Sequence, residues 1–219
     1  MDRIINNPKF KLYYDYLVSE NEKYNLTSIT LEKEAYIKHF YDSVQMEKAV
    51  DLNSITSICD VGSGAGFQSI PLKILYPHLH ITIIEPTLKR CNFLNGLVKL
   101  LELDNVKIIN DRAEIMDSLR ESFYIVCARA VANMQVLIEL CVPLVKVNGY
   151  FISLKGSSFH DEMIASKNAI NVMKIKVKKI YEYELLENFG KHSIIVFEKT
   201  DTTLKKYPRS YSLIKKKPL

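Results

Sequence analysis

No stretch of the 219-residue chain is apolar for long enough to cross a bilayer, and its first ten residues, MDRIINNPKF, hold no apolar signal core. A cytoplasmic protein is therefore expected. The 4 cysteines, Cys59, Cys91, Cys127 and Cys141, form no CxxC pair and each sits in apolar company, so neither a zinc site nor a disulfide framework is indicated. Buried reduced thiols and no metal are the expectation. Neither sign of charge dominates: 30 Lys+Arg against 25 Asp+Glu leave a net charge of +5, which permits a polyanionic partner without requiring one. Internal repeats and low-complexity linkers are also missing, and 47% hydrophobic with 25% charged residues is the composition of a chain that buries a core as one domain. Glycine is scarce. There are 7, yet 3 of them fall at positions 62, 64 and 66.

In KFKLYYDYLVSE (9–20), Phe10, Tyr13, Tyr14 and Leu17 recur with a helical period just after Pro8, which predicts a first helix. A second is predicted from Thr30 as N-cap, with Glu32 and Glu34 in its first turn, to about Ala49. Its apolar stripe, Ile37, Phe40, Tyr41 and Val44, leaves His39, Asp42 and Ser43 facing outward. Past residue 55 the texture changes to β-rich runs at 57–61, 80–85, 106–110, 123–130 and 149–156, separated by helical segments at 88–103, 112–121 and 134–145. Strands alternating with helices predict an α/β fold with a doubly wound, mainly parallel sheet. A helix at about 159–173 then leads to runs 176–185 and 192–199 joined by a turn at Asn188 to Gly190, an antiparallel edge hairpin. The expected organisation is a helical extension over 1–54, a ligand-binding domain over 55–200 and a basic, extended tail over 201–219.

Strand, then GSGAG, then the helix suggested by IPLKIL brings backbone close to a ligand at the carboxyl edge of a parallel sheet, with Gly62 and Gly64 nearest to it. The dinucleotide pattern GxGxxG fails because its sixth position is Phe67, and no Lys-Ser or Lys-Thr follows as a phosphate-binding loop requires. What remains is a ligand with an adenosine-like body and no phosphate to cradle. Glu85, at the end of the next strand, can accept two hydrogen bonds from a ribose diol, a combination that fits S-adenosylmethionine. Ala113 and Glu114, past the third strand, are candidates for the adenine edge. Each feature alone has a plain structural alternative: a tight turn, a solvated strand end, an acidic helix start.

Taken in order, YNLTSIT (24–30), HFYDSV (39–44), DVGSGAGFQSIPL (60–72), LKRCNFL (88–94), RAE (112–114), ARAV (128–131), LKG (154–156) and the closing YPRSYSLIKKKPL resemble the bacterial small-subunit ribosomal RNA guanine-N7 methyltransferases, the glucose-inhibited division protein B family. The resemblance runs nearly end to end. It implies a class I S-adenosylmethionine-dependent methyltransferase fold, Rossmann-like, with an N-terminal helical extension. The implied donor is S-adenosylmethionine, leaving S-adenosylhomocysteine as product. The implied acceptor is N7 of a specific guanine of 16S rRNA, the 527 position in the family, within the small ribosomal subunit. Carried over by position, the family's cofactor contacts fall on Gly62, Phe67, Ala113, Glu114 and Arg129. The chain departs from the family's usual Pro-Gly at Gln68 and Ser69 and from its usual Asp-Ser at Glu85 and Pro86. Other acceptors, an RNA or a small molecule, and a non-catalytic RNA-binding assembly factor are the competing readings. A monomer is expected.

Guanine N7 carries an in-plane lone pair and no proton, so methyl transfer to it requires alignment rather than a general base. In keeping with this, the fourth strand ends in Cys127-Ala128-Arg129-Ala130 and not in the Asn/Asp-Pro-Pro-aromatic motif of enzymes acting on exocyclic amines. Arg129 is placed on the cofactor side by the resemblance, with an ion pair to Glu114 or Asp111 as the competing role. His39 and Asp42 are candidates for the rim that receives the base, against an ordinary solvated helix face. For RNA phosphates the candidates are Arg90, Lys155, Lys206 and Arg209, although lysine runs are most often merely solvating.

Overall fold

The computed structural model describes residues 1–157 and 159–219. Seven strands, β1 (Ser57–Val61), β2 (His80–Ile84), β3 (Val106–Ile109), β4 (Phe123–Arg129), β5 (Val145–Gly156), β6 (Ile175–Glu184) and β7 (Lys191–Lys199), form one sheet in the order β3-β2-β1-β4-β5-β7-β6. The first five are parallel and β7 runs antiparallel to both β5 and β6. Strand order reverses at β1, so a crevice opens beyond the carboxyl ends of β1 and β4. The central strands read as continuous apolar runs because both faces are covered. On one face the N-terminal helices and helices Ser69–Leu75 and Leu88–Leu100 bury Phe10, Tyr13, Phe40, Phe93 and Leu97. On the other, Met134–Cys141, the two short helices within 159–172 and the C-terminal Tyr211–Lys216 bury Leu137, Ile138, Phe159 and Ile214.

The first long helix, Pro8–Tyr24, starts where Pro8 and the Asn7 side chain, which accepts from the Lys9 N–H at 3.0 Å, fix its entry. It ends at Asn25, whose φ of 50° is left-handed. The second begins at Glu32, so Thr30 is not its cap; the Thr30 carbonyl instead accepts from the Tyr14 hydroxyl at 2.7 Å. Between Tyr36 and Tyr41 this helix takes a π turn. The helix is covered on both faces: Ile37, Phe40 and Val44 are buried as expected, and His39, Asp42 and Ser43, expected to face outward, are 6%, 1% and 0% exposed because Arg129 and the β6–β7 hairpin close over them.

Two other expectations are corrected. Residues 112–121 do not form an α-helix but two 3₁₀ turns, Ala113–Ile115 and Asp117–Leu119. Ala113, Met116 and Leu119, which pack on the core, are spaced by three, the period of a 3₁₀ turn rather than of an α-helix. Nor is the tail extended: it folds back, ends in helix Tyr211–Lys216 and is anchored by Arg209 on the buried Glu139. All four thiols are buried and unpaired. Among the described residues no helix is long and apolar enough to cross a membrane.

Candidate cofactor and acceptor site

The turn after β1 accounts for the clustered glycines. Gly62, Gly64 and Gly66 have φ of 70°, 62° and 85°, a region that side-chain-bearing residues rarely adopt. At Gly62 there is also no room, since a Cβ would lie 2.7 Å from Val131 Cγ2. The Gly62 N–H donates to the Ile84 carbonyl at 2.8 Å, and the Gly64 N–H donates to Glu85 Oε2 at 2.9 Å. Thr87 N–H donates to the other Glu85 oxygen at 3.0 Å, so this 1%-exposed carboxylate is held where the ends of β1 and β2 meet. Below the loop, buried Asp60 accepts from the Ser63 and Ser69 hydroxyls. Burial pushes its carboxyl up to about 6 against the pull of those two donors. Ser69 is one of the two residues that depart from the family's loop, and its hydroxyl serves Asp60. The other, Gln68, is buried and directs its amide toward the Ser43 carbonyl at 3.4 Å.

Two cavities flank Gly62. The larger, about 290 Å³, is lined by His39, Asp60, Gly64, Phe67, Gln68 and Arg129 among others. The smaller, about 140 Å³, lies toward β2 and β3 and is bounded by Pro86, Arg112, Ala113, Glu114, Val131 and Tyr211. Gly62 borders both. Glu85 is tied to the Gly64 N–H beside this seam.

Arg129 leaves the end of β4 and crosses to the helical extension. Its guanidinium donates to the carbonyls of Lys38 and His39 in the π turn and to Ser43 Oγ at 3.1 Å, and it pairs with Asp42 Oδ2 at 3.1 Å. Glu114 and Asp111, the alternatives expected from sequence, are not its partners. Asp42 also accepts from the Tyr183 hydroxyl at 2.5 Å and lies 2.8 Å from His192 Nδ1, both on the β6–β7 hairpin. Burial would raise the Asp42 carboxyl, but Arg129, His192 and Tyr183 outweigh it and hold it below the ordinary carboxylate range. His39 is pinned by this arrangement with its ring stacked on Phe67, 3.7 Å between centroids and 9° between planes. Its Nε2 sits 3.0 Å from Thr27 Oγ1. Burial and the Arg129 charge lower its pKa to about 3, so the imidazole is neutral at pH 7.

The candidate phosphate contacts divide. The Arg90 side chain is 42% exposed at the rim, 3.8 Å from Glu85 Oε1. Lys206 is exposed, with its ammonium 5.3 Å from the centroid of the Tyr207 ring. Lys155 is only 9% exposed and is engaged by the Ala132 carbonyl at 2.8 Å and Glu162 at 2.7 Å. Arg209 grips Glu139 with Nε at 2.8 Å and Nη2 at 2.6 Å. Sequence reasoning missed Tyr183, His192, Arg112 and Tyr211. The hairpin residues are 141 and 150 positions from Asp42 and carry no local signal, whereas Arg112 adjoins the RAE motif and was within reach. Among the described residues no group of three or more His, Cys, Asp or Glu is arranged to hold a metal ion.

Known proteins share both this sequence and this fold. The model of the GidB family, described as rRNA small subunit methyltransferase G, matches residues 6–188. A curated Bacillus subtilis protein named ribosomal RNA small subunit methyltransferase G is 48% identical over 214 residues, covering 96% of this chain and 90% of that one. Its Staphylococcus saprophyticus namesake is 49% identical over 213 residues, with 96% and 89% covered. Among solved structures, the Bacillus subtilis YcgJ protein matches with a TM-score of 0.58 at 12% identity over 74% of this chain and all of that one. M. jannaschii TYW2 in complex with AdoMet matches at 0.56 with 18% identity over 72% and 76%. At such identities these two speak for the fold alone.

Proposed function

The chain belongs to the GidB family of rRNA small subunit methyltransferases G, and from that premise we propose that it methylates N7 of one guanine of 16S rRNA in the small ribosomal subunit. It is an S-adenosylmethionine-dependent methyltransferase. The observation that carries the reading of the site is the pair of cavities meeting at Gly62 on the carboxyl edge of the sheet, with Glu85 tied into the loop beside them.

The residues fit a nucleoside lying along that edge. A Cβ at Gly64 would meet nothing within 4 Å, so the loop backbone there is open to a ligand's approach. Glu85 is fixed at the loop by two backbone N–H groups, and its carboxylate is the proposed acceptor for ribose hydroxyls. Pro86, Ala113 and Glu114 bound the smaller cavity with an apolar floor and one polar edge, as an adenine requires. When bound, S-adenosylmethionine supplies the electrophilic methyl group on its sulfonium. In the larger cavity the stacked His39 and Phe67 give a flat wall against which a base plane is set.

With a pKa lowered to about 3, His39 is a weak proton acceptor, and a nitrogen acceptor without a proton needs none. Alignment of this kind supplies roughly 7–11 kcal/mol of a barrier in well-oriented systems. Arg129 is assigned to holding the π turn, and through it His39, rather than to the donor directly. Arg90 and Lys206 are the proposed phosphate contacts.

The test incubates the protein with labelled S-adenosylmethionine and either unmodified small subunits or naked 16S rRNA, then digests the RNA and identifies the nucleoside by mass. 7-Methylguanosine at a single position is expected; label in any other nucleoside, or none, ends the reading. Gly62→Asp, which drives a side chain into Val131 and a charge toward Glu85, is expected to abolish donor binding by calorimetry.

A further inference from the structure

We infer that Tyr211, carried by the C-terminal tail, is part of the donor site and closes the adenine end of it together with Arg112. The inference rests on the pocket reading under the proposed function and adds to it a residue from a segment that the sequence assigned to RNA.

The smaller cavity has a floor and an inner wall from the sheet: Pro86 after β2, Ala113 and Glu114 after β3, and Val131 after β4. Its outer wall comes from elsewhere. Tyr211 borders it directly, and the Arg112 guanidinium lies over the Tyr211 ring with Cζ 4.2 Å from the centroid. Arg112 Nε in turn donates to the Glu114 carboxylate, so ring, guanidinium and carboxylate form one connected edge around the opening. A cavity of about 140 Å³ exceeds several times the roughly 30 Å³ that a water occupies in the liquid, and its apolar floor with a polar rim suits a flat heteroaromatic base.

The placement of Tyr211 is fixed on both sides in sequence. Before it, Arg209 makes a two-pronged pair with Glu139, and its own N–H donates to Glu139 Oε1 at 3.0 Å. After it, Ile214 is fully buried in the core. Farther back, the Arg120 guanidinium takes the carbonyls of Thr203, Leu204 and Tyr207 at 2.6 to 2.9 Å. The ring is therefore held at the cavity by anchors that do not involve it, and it can be altered without releasing the tail.

Calorimetry with S-adenosylhomocysteine and with adenosine tests this on the full chain. Tyr211→Ala is expected to weaken both ligands by the same factor, roughly 5- to 20-fold, because the wall touches only the base end they share. Tyr211→Phe should stay within about twofold, since ring stacking and not the hydroxyl makes the wall. Wild-type binding with unchanged affinity in Tyr211→Ala overturns the inference alone. Failure of the wild type to bind either ligand overturns the pocket reading and this inference with it. A second measurement does not depend on a truncating change. The chain has 0 tryptophans, so Tyr211→Trp introduces a single indole whose emission reports this position. Saturation with S-adenosylhomocysteine should shift or quench that emission, and an emission blind to the ligand sinks the proposal.

Discussion

The two ends of the chain do the same job by different means. Each reaches around the sheet to its carboxyl edge and sets an aromatic group beside one of the two cavities there. The N-terminal helices bring His39 against Phe67, and the C-terminal tail brings Tyr211 under Arg112. The fastenings differ. The N-terminal end is held by interlocked rings, Phe10 and Tyr13 at 5.2 and 4.9 Å from Phe40, all fully buried, with the Tyr13 hydroxyl donating to the loop carbonyl of Ala65 at 2.6 Å. The tail is held mainly by charge: Arg209 on a Glu139 that is 0% exposed, and Arg120 on three backbone carbonyls. Interlocked rings fail when a void is made among them, whereas a buried ion pair fails when one partner is left without the other. The N-terminal end thus rests on packed rings, with the buried Arg129–Asp42 pair added at the π turn, and the tail chiefly on compensated charge.

The largest effect is expected from Phe40→Ala, which opens a void among Phe10, Tyr13 and Tyr36 and should lower stability by about 3–5 kcal/mol in urea denaturation. Next is Arg209→Ala, which strands the Glu139 charge. A loss of about 2–3 kcal/mol is expected, below the usual figure for a fully buried pair because Arg209 keeps 19% exposure. If the contrast holds, adding Glu139→Leu to that variant restores most of the loss, while no charge change rescues Phe40→Ala.

A pH series sharpens the comparison further. His39 in the folded chain titrates near 3, below the ordinary 6.5, so the unfolded chain takes up a proton that the folded one refuses. Stability is therefore lost as pH falls from about 6.5 toward 3, with a slope approaching about 1.4 kcal/mol per pH unit. Asp60 works oppositely. Its folded pKa of about 6 lies above the ordinary 3.8, so its contribution is greatest at low pH and is lost as pH rises through 6. Melting curves between pH 7 and 4 should show His39→Gln with a flatter acid loss than wild type. The smallest effect is expected from Gly64→Ala, about 1 kcal/mol of left-handed strain with nothing within 4 Å to clash. Any donor-affinity change in that variant should come without selective loss at either end.

The central fold was legible because the chain's apolar periods agree with the elements they form. SICDV is β1 as read, the alternation past residue 55 is the parallel sheet, and the pair at 176–185 and 192–199 is the antiparallel edge. The glycine spacing announced the turn because left-handed φ leaves few other residues. What failed, failed where distant elements meet. A helical count puts His39 and Asp42 opposite Ile37, Phe40 and Val44, and that face is buried as well, under Arg129 and the β6–β7 hairpin. Arg129 was placed at the right edge, yet its partner, Asp42, lies on the extension 87 positions earlier, a pairing that only the tertiary fold discloses. The docking of the tail does have a signal in the sequence. Glu139 stands alone within MQVLIELCVPLV, and a carboxylate inside so apolar a run requires a cation from somewhere.

The buried thiols have a practical consequence. Cys59 in β1, Cys127 in β4 and Cys141 at the end of its helix are fully enclosed, and burial pushes each of them above the ordinary thiol range. An alkylating reagent meets no thiolate on these three while the sheet is intact, so the rate at which they are labelled is a clock for the opening of the whole central sheet.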